Sequence, residues 1–131
     1  MCFIVNICTS FRQFMAKTWK DNDISLDPLK DQTIAVIGYG IQGDAQANNM
    51  KDSGLNVIIG LKEGGKSWKK AEADGHKVMS VADATKQGDI IHILIPDMIQ
   101  GQIYKDEIEP NLSEGKALSF SHAAAIYWKW I

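Results

Sequence analysis

The chain has 131 residues, of which 45% are hydrophobic and 23% are charged, and its formal net charge at pH 7 is −2. A chain of this length forms a single domain whose core buries about two-thirds of the unfolded surface. The 14 basic residues are balanced by 16 acidic ones and form no basic stripe, so the composition gives no support for nucleic-acid binding. We therefore expect one ordinary soluble domain.

Residues 1–14 differ from the rest of the chain. The segment Met1–Cys8 is apolar, but it is too short to span a bilayer and lacks the basic leader and cleavage pattern of a signal peptide. Met15 is a more usual start, so we interpret the segment before it as a wrongly assigned start or a disordered tail, and residues 1–20 as an amino-terminal extension that is expected to be disordered. Cys2 and Cys8 fit neither a redox pair nor a zinc site, which favours a reducing, cytoplasmic compartment.

A glycine-rich motif follows the first predicted strand. Thr33–Ile37 is an apolar run of strand type that leads directly into Gly38, Gly40 and Gly43, spaced as G-x-G-x-x-G. In dinucleotide-binding domains the first glycine permits a tight turn, the second lets the backbone approach the pyrophosphate, and the third lets the helix pack closely on the strand. The alternative is a glycine turn without a ligand in another βαβ protein. The strand before the motif and the helix-forming stretch after it favour a nucleotide-binding Rossmann unit.

The remaining elements alternate between strand and helix. Capping residues are expected at Ser67 for the second helix and at Ser80, with Asp83, for the third. The apolar run Asp89–Ile95 is typical of a central strand buried on both faces. This order predicts an α/β fold, a Rossmann-type doubly wound parallel sheet, over residues 21–131. In chain order we predict strands at 33–37, 55–59, 77–79, 89–95 and 116–120, and helices at 41–52, 68–74, 81–87 and 99–108.

The residues after the second strand bear on the choice between NAD and NADP. An NAD-specific site places Asp or Glu about twenty residues past the glycines, where it binds both ribose hydroxyls. Here Lys62 follows the strand, with Lys66 and Ser67 close behind, and these residues suit the extra 2′-phosphate of NADP. Glu63 favours NAD, and the alternative to both is a solvated lysine-rich loop. The local sequence thus favours NADP.

Four further stretches of the sequence form a specific set when taken together in chain order. They are Ile37-Gly-Tyr-Gly-Ile-Gln-Gly43, Gly60-Leu-Lys-Glu-Gly-Gly-Lys-Ser-Trp68, Ile95-Pro-Asp97 and Phe120-Ser-His122. With these stretches, residues 21–122 resemble the amino-terminal domain of ketol-acid reductoisomerase, which converts acetohydroxy acids to dihydroxy acids. The resemblance implies an NADP-dependent oxidoreductase of valine and isoleucine biosynthesis. Such an enzyme combines Mg²⁺-dependent alkyl migration with reduction of 2-acetolactate by NADPH.

The resemblance also implies roles for individual residues. His122, at the end of the fifth strand, matches the family's active-site histidine. Asp44 and Gln46 stand where the family usually has histidines, Gly65 where a phosphate-binding serine is common, and Ala123–Ala125 where Gly-Phe-Asn is usual. The residues expected to bind the cofactor are Gly38, Tyr39, Gly40, Ile41, Gln42, Gly43, Lys62, Ser67, Asp97, Met98, Ile99 and Gln100.

By the same resemblance, the Mg²⁺ ligands belong to a helical, knotted carboxy-terminal domain, and no metal ligand is assigned within this chain. We therefore expect the cofactor portion of the enzyme, inactive alone: a fragment, a truncated gene or one piece of a split protein. The expected partners are an acetohydroxy acid and either a separate carboxy-terminal chain or further copies in a homo-oligomer, without nucleic acid or membrane. Two alternatives are a non-catalytic NADP-binding module and the cofactor domain of a β-hydroxyacid-type dehydrogenase.

Four further residues receive structural interpretations. His92 lies inside the apolar strand and is expected to be a core residue with a hydrogen-bonded ring. His76 follows Gly75 and is expected in a solvated turn. Trp128 and Trp130 are apolar groups that the missing domain is expected to cover.

Overall fold

The computed structural model describes Lys20 and residues 23–131, so the expected extension of residues 1–20, with its two cysteines, lies outside the described residues apart from Lys20. Five strands form one parallel sheet in the order β3-β2-β1-β4-β5. None of the helices in the described part of the chain is long and apolar enough to cross a membrane. The strands are β1 (Thr33–Ile37), β2 (Asn56–Gly60), β3 (Lys77–Met79), β4 (Ile90–Ile93) and β5 (Ala117–Phe120). The helices are α1 (Ile41–Asp52), α2 (Lys66–Ala73), α3 (Val81–Gln87), α4 (Asp97–Ile103) and α5 (Ala124–Tyr127).

Helices cover both faces of the sheet, which confirms the doubly wound fold. On one face α1 and α2 pack over a core that includes Val36 and Ile59. On the other face α3 and the segment after α4 pack over Ile37 and Ile91. The strands carry apolar residues at successive positions because both of their faces are buried.

The fourth strand is shorter than predicted. Its ladder with β1 spans Ile90 to Ile93, because β1 turns away at Gly38, where φ is +104°. Leu94 makes the last bond, from its N–H to the carbonyl of Ile37 at 2.8 Å. At the other end, the Asp89 carboxylate lies outside the strand and accepts a hydrogen bond from Thr33 N at 2.8 Å.

The predicted cap of the second helix is wrong, whereas the cap of the third is confirmed. Helix α2 begins at Lys66 with Gly65 as its N-cap, so Ser67 lies inside the first turn. Helix α3 begins after Ser80, whose hydroxyl accepts a hydrogen bond from Asp83 N at 3.1 Å. The Ser67 hydroxyl is therefore not required as a cap.

The segment after β4 is less regular than the predicted helix over 99–108. Helix α4 begins two residues earlier, at Asp97, and is followed by a π-helical turn at Tyr104–Ile108 and a 3-10 turn at Glu109–Asn111. Pro110 accounts for the end of the π-helical turn, because proline lacks the N–H that would continue it. The short helix α5 was not predicted, since its alanine-rich sequence carries no capping residue.

Candidate functional site

A cleft of about 500 Å³ lies at the carboxyl edge of the sheet, between the ends of β1 and β4. This is where the strand order reverses, and open α/β sheets bind their ligands at such points. The sequence-predicted glycine loop and Ser67 meet there. The lining residues are Gly38, Tyr39, Gly40, Ile41, Gln42, Leu61, Ser67, Leu94, Ile95 and Pro96.

The second and third glycines of the loop have different surroundings. A Cβ atom at Gly43 would lie 2.2 Å from the carbonyl oxygen of Gly38, so α1 packs against the turn as only glycine allows. A Cβ atom at Gly40 would meet no atom within 4 Å, because Gly40 faces the open cleft. Gly43 is therefore required by packing within the chain, whereas the space above Gly40 is free for a ligand.

The start of α1 supplies hydrogen-bond donors to this space. Gly40 is the N-cap and provides no side chain to cap the helix. The first N–H groups of a helix have no acceptor within the helix, and they carry the positive end of its dipole. The N–H groups of Ile41 and Gln42, both of which line the cleft, are thus available to an anion such as a pyrophosphate.

Tyr39 ties the glycine loop to the end of α2. Its ring is buried, its hydroxyl donates a hydrogen bond to Asp74 Oδ2 at 2.8 Å, and the hydroxyl accepts one from Asn48 Nδ2 at 3.1 Å. Burial, followed by the Asp74 hydrogen bond, raises the pKa of the Tyr39 phenol. The side chain is therefore a neutral donor that fixes the position of the loop.

The prediction for His76 is wrong, because this side chain is buried beside Tyr39. Its Nε2 atom lies 2.9 Å from Asn48 Oδ1, and its ring meets the Tyr39 ring edge-on at 5.5 Å. Burial lowers the pKa of His76, with Lys51 contributing in the same direction. The turn at Gly75 folds His76 inward toward α1, which local sequence does not reveal.

His92 is a core residue with both ring nitrogens hydrogen-bonded, as predicted. Nδ1 lies 2.9 Å from the Ser119 hydroxyl, and Nε2 lies 2.8 Å from Gln46 Oε1. Burial lowers the pKa of His92. Gln46 in turn donates to the hydroxyl of Ser121 at 3.1 Å, so this network connects α1 with the end of β5.

His122 stands at the carboxyl edge of the sheet, just after β5, as expected. Its Nδ1 atom lies 3.2 Å from Asp97 Oδ2, and the side chain is 70% exposed. Gln100 Nε2 donates to Asp97 Oδ1 at 3.0 Å and to the carbonyl of Ile95 at 2.8 Å, which holds the carboxylate in place. Asp97 thus lies in contact with the His122 ring at the carboxyl edge of the sheet.

Several predicted cofactor residues do not line the cleft. Lys62 is exposed on the loop between Leu61 and Ser67. Met98 is 89% exposed and, with Asp97, borders a separate cavity of about 370 Å³. The sequence reasoning missed the cleft-lining residues Leu61, Leu94, Ile95 and Pro96, although their position after β2 and β4 could have indicated them.

A site for a metal ion would need several carboxylate, histidine or cysteine ligands close together. Within the described residues, no group of three or more His, Cys, Asp or Glu side chains is arranged to hold a metal ion. The pairs that do form, such as Asp97 with His122, supply too few ligands for a divalent cation.

A parallel doubly wound sheet with a glycine loop, an open space above Gly40 and a cleft at the switch point defines a dinucleotide-binding domain of the Rossmann class. Comparison with known proteins identifies the family to which this domain belongs. A family profile described as "Acetohydroxy acid isomeroreductase, NADPH-binding domain" matches residues 28–131, and the chain belongs to this family. The assignment removes the alternative of a β-hydroxyacid-type dehydrogenase.

Three relatives illustrate the similarity. The ketol-acid reductoisomerase (NADP(+)) of Nitrosopumilus maritimus is 94% identical over 117 residues, which are 89% of this chain and 35% of the relative. That of Cenarchaeum symbiosum is 75% identical over the same shares. A solved structure of an NADH-preferring ketol-acid reductoisomerase from an uncultured archean is 52% identical with a TM-score of 0.81, and the match covers 85% of this chain and 35% of that one. The chain thus spans about a third of the length of these relatives.

Proposed function

We propose that this chain binds NADPH in the cleft between β1 and β4 and is the cofactor portion of a ketol-acid reductoisomerase. The observation that carries the proposal is the open space above Gly40, at the start of helix α1, where no side chain caps the helix. This space suits a pyrophosphate, which needs close approach to the backbone and unpaired N–H donors. When bound, NADPH supplies the hydride for reduction of a ketone.

The choice of NADPH over NADH is supported by the loop after β2. Ser67 lines the cleft and is not required as a helix cap, and Lys62 is exposed on the same loop. A lysine and a hydroxyl suit a 2′-phosphate, whereas Glu63 on the same loop favours NADH. The two close relatives are named as NADP(+) enzymes, while the solved relative is NADH-preferring. NADH binding is therefore the second candidate.

His122 is the residue that we assign to the substrate side of the site. It stands at the carboxyl edge of β5, beyond β4 from the glycine loop, and its Nδ1 lies 3.2 Å from Asp97 Oδ2. A histidine oriented in this way can take up or release a proton at Nε2 during the reaction of an acetohydroxy acid. Gln100, through Asp97, is a positioning residue for the same ring.

The Mg²⁺ ions of the reaction have no evident ligand set among the described residues. We propose that their ligands lie in the two-thirds of the enzyme that this chain does not match, either in a joined domain, in a separate chain or in a further copy of an oligomer. Mg²⁺ would there polarise the substrate carbonyl. The complete enzyme would act on 2-acetolactate in valine and isoleucine biosynthesis, in the cytoplasm.

A titration tests the cofactor proposal. Residues 1–131 should bind NADPH, and Gly40→Val should abolish binding while the circular dichroism spectrum stays unchanged, because the valine side chain fills space that only a ligand uses. Retained binding by a folded Gly40→Val variant would show that the loop does not hold the phosphates.

A chimaera tests the catalytic proposal against a non-catalytic NADP-binding module. The isolated chain should bind NADPH without oxidising it in the presence of Mg²⁺ and 2-acetolactate. Fusion to the remaining two-thirds of the Nitrosopumilus maritimus relative should restore turnover, and His122→Ala in this fusion should lower kcat by about 100-fold or more. A folded fusion that binds NADPH but never turns over would favour the non-catalytic module.

A further inference from the structure

Asp44 places a carboxylate in the first turn of the helix that begins at the cleft. It follows Gly43 directly, and its N–H donates to the carbonyl of Gly40 at 2.9 Å. The helix dipole stabilises an acidic side chain here, but a pyrophosphate bound at the same helix start would be repelled by it. A dinucleotide site with this sequence therefore needs an interaction that compensates the negative charge of Asp44.

The structure contains such interactions, because both carboxylate oxygens of Asp44 contact a polar side chain. Oδ2 forms an ion pair with Lys70 Nζ from helix α2. Oδ1 accepts a hydrogen bond from Asn48 Nδ2 at 2.8 Å, one turn further along α1. The Lys70 hydrogen bond lowers the pKa of Asp44, and the same contact raises the pKa of Lys70. The carboxylate is thus ionised and paired.

The ion pair between Asp44 and Lys70 lies outside the cleft lining. Asp44 does not line the cleft, whereas its sequence neighbours Ile41 and Gln42 do. Lys70 Nζ lies 5.8 Å from the centre of the Tyr39 ring, and Tyr39 forms part of the cleft wall. The ion pair therefore lies beside the Tyr39 ring and outside the cleft lining, with the Lys70 side chain half exposed to solvent.

We infer that Lys70 is a positioning residue of the dinucleotide site, which pairs with Asp44 and keeps this carboxylate away from the bound phosphates. The inference rests on the proposed binding of NADPH in the cleft. It assigns Lys70 an indirect role, because Lys70 acts through Asp44 rather than by contact with the cofactor.

A double-mutant cycle tests the inference. In the chain of residues 1–131, Lys70→Met should raise the Kd for NADPH about tenfold in 20 mM salt and by about twofold or less in 0.5 M salt, because unpaired Asp44 then repels the phosphates through solvent. Asp44→Asn should bind NADPH at least as tightly as the unmodified chain. The double variant should lie within about twofold of Asp44→Asn, since no carboxylate is left to compensate.

Two variants separate this role from structural effects. Lys70→Arg keeps the positive charge and should retain binding. Lys86→Met removes a lysine from a comparable exposed ion pair, with Asp83 on the opposite face of the sheet, and should leave the Kd unchanged. Circular dichroism and urea midpoints would establish that each variant is folded.

Three results would overturn the inference. A tenfold loss on Lys70→Met that persists when Asp44→Asn is also present would mean that Lys70 contacts the cofactor itself. An unchanged Kd for folded Lys70→Met would mean that Asp44 needs no compensation. If the unmodified chain binds neither NADPH nor NADH, the proposed function fails together with this inference, whereas either of the first two results overturns the inference alone.

Discussion

Residues 33–93, here called the closed region, bury their large apolar side chains, whereas residues 94–131, the open region, expose several of theirs. In the closed region, which is fully described, the one large hydrophobic side chain that is exposed is Ile41, which lines the cleft. The exposed large hydrophobic residues of the open region are Met98, Ile99, Ile126, Tyr127, Trp128 and Trp130.

The closed region makes its contacts within the chain, whereas the open region leaves side chains exposed for contact with other groups. The closed region contains β1 and β2, whose two faces are buried, and supplies hydrogen-bond partners for Tyr39, Asp44 and His92. The open region carries His122 and a set of exposed aromatic side chains close to it in sequence. Clustered exposed apolar groups mark a contact surface, so we expect the substrate side of the site to be completed from outside this chain.

The largest expected effect contrasts one core residue with one exposed aromatic residue. Ile59→Ala should lower the free energy of unfolding by about 2–5 kcal/mol, because it leaves a cavity between β1, β3 and helix α2 in a fully buried position. Trp128→Ala should change it by about 1 kcal/mol or less, since this side chain is 63% exposed. Urea denaturation measures both, and equal losses would break the contrast between the regions.

The next effect contrasts two glycines of the same loop. Gly43→Ala should cost about 2–3 kcal/mol of stability, because its Cβ would strike the Gly38 carbonyl oxygen and the backbone must move. Gly40→Ala should cost less than about 1 kcal/mol, since its Cβ points into open space. Urea midpoints decide the matter, and a Gly43→Ala variant as stable as the unmodified chain would show that α1 is free to shift from the turn.

A smaller effect tests whether cofactor selectivity resides in the closed region. NADPH should bind more tightly than NADH, and Lys62→Ala should remove about 1–3 kcal/mol of that difference, the range of a charge-assisted phosphate contact. Lys69→Ala removes the same charge from an exposed position on helix α2 beside Glu72 and Trp68, and it serves as the matched control. Equal affinities for the two cofactors in the unmodified chain would contradict the NADPH assignment.

Local signals predicted the elements whose ends are set by their own residues. The bounds of β1 and α1 followed from an apolar run that meets a glycine motif, and the start of α3 followed from the Ser80 cap. The end of β4 did not follow, because it is set by the turn of a neighbouring strand at Gly38. Sequence alone therefore defined the elements better than their pairing.

The residues of the candidate site also fall into two groups: those that motif and resemblance identified, and those whose role depends on the pairing of strands. The glycine loop and Ser67 were identified from motif and resemblance, and they do meet in one cleft. The cleft-lining residues Leu94 and Ile95 were missed, because their role depends on β4 lying next to β1 in the sheet. The contact of Asp97 with His122 likewise arises from the pairing of β4 with β5, a neighbour relation that no local pattern in the sequence specifies.

The smallest expected effect concerns the two buried histidines of the closed region. Burial lowers the pKa of both His76 and His92 below the ordinary value of 6.5, so the unfolded chain binds more protons than the folded chain once the pH drops below that value. Stability should therefore fall as the pH decreases through 6.5, by at most about 1.4 kcal/mol per pH unit for each histidine, until the folded-state pKa is reached.

Replacing a titrating ring by an amide tests this pH dependence. His92→Gln and His76→Gln should each flatten the dependence of the urea midpoint on pH between 7.5 and 5.5, because neither variant can take up the proton that opposes folding. The change in slope is the diagnostic quantity, since loss of the hydrogen bonds to Gln46 or Asn48 lowers stability at every pH. If both variants keep the slope of the unmodified chain, these rings accept protons in the folded state as readily as in water. The interior of the closed region would then be more accessible to water than its packing indicates.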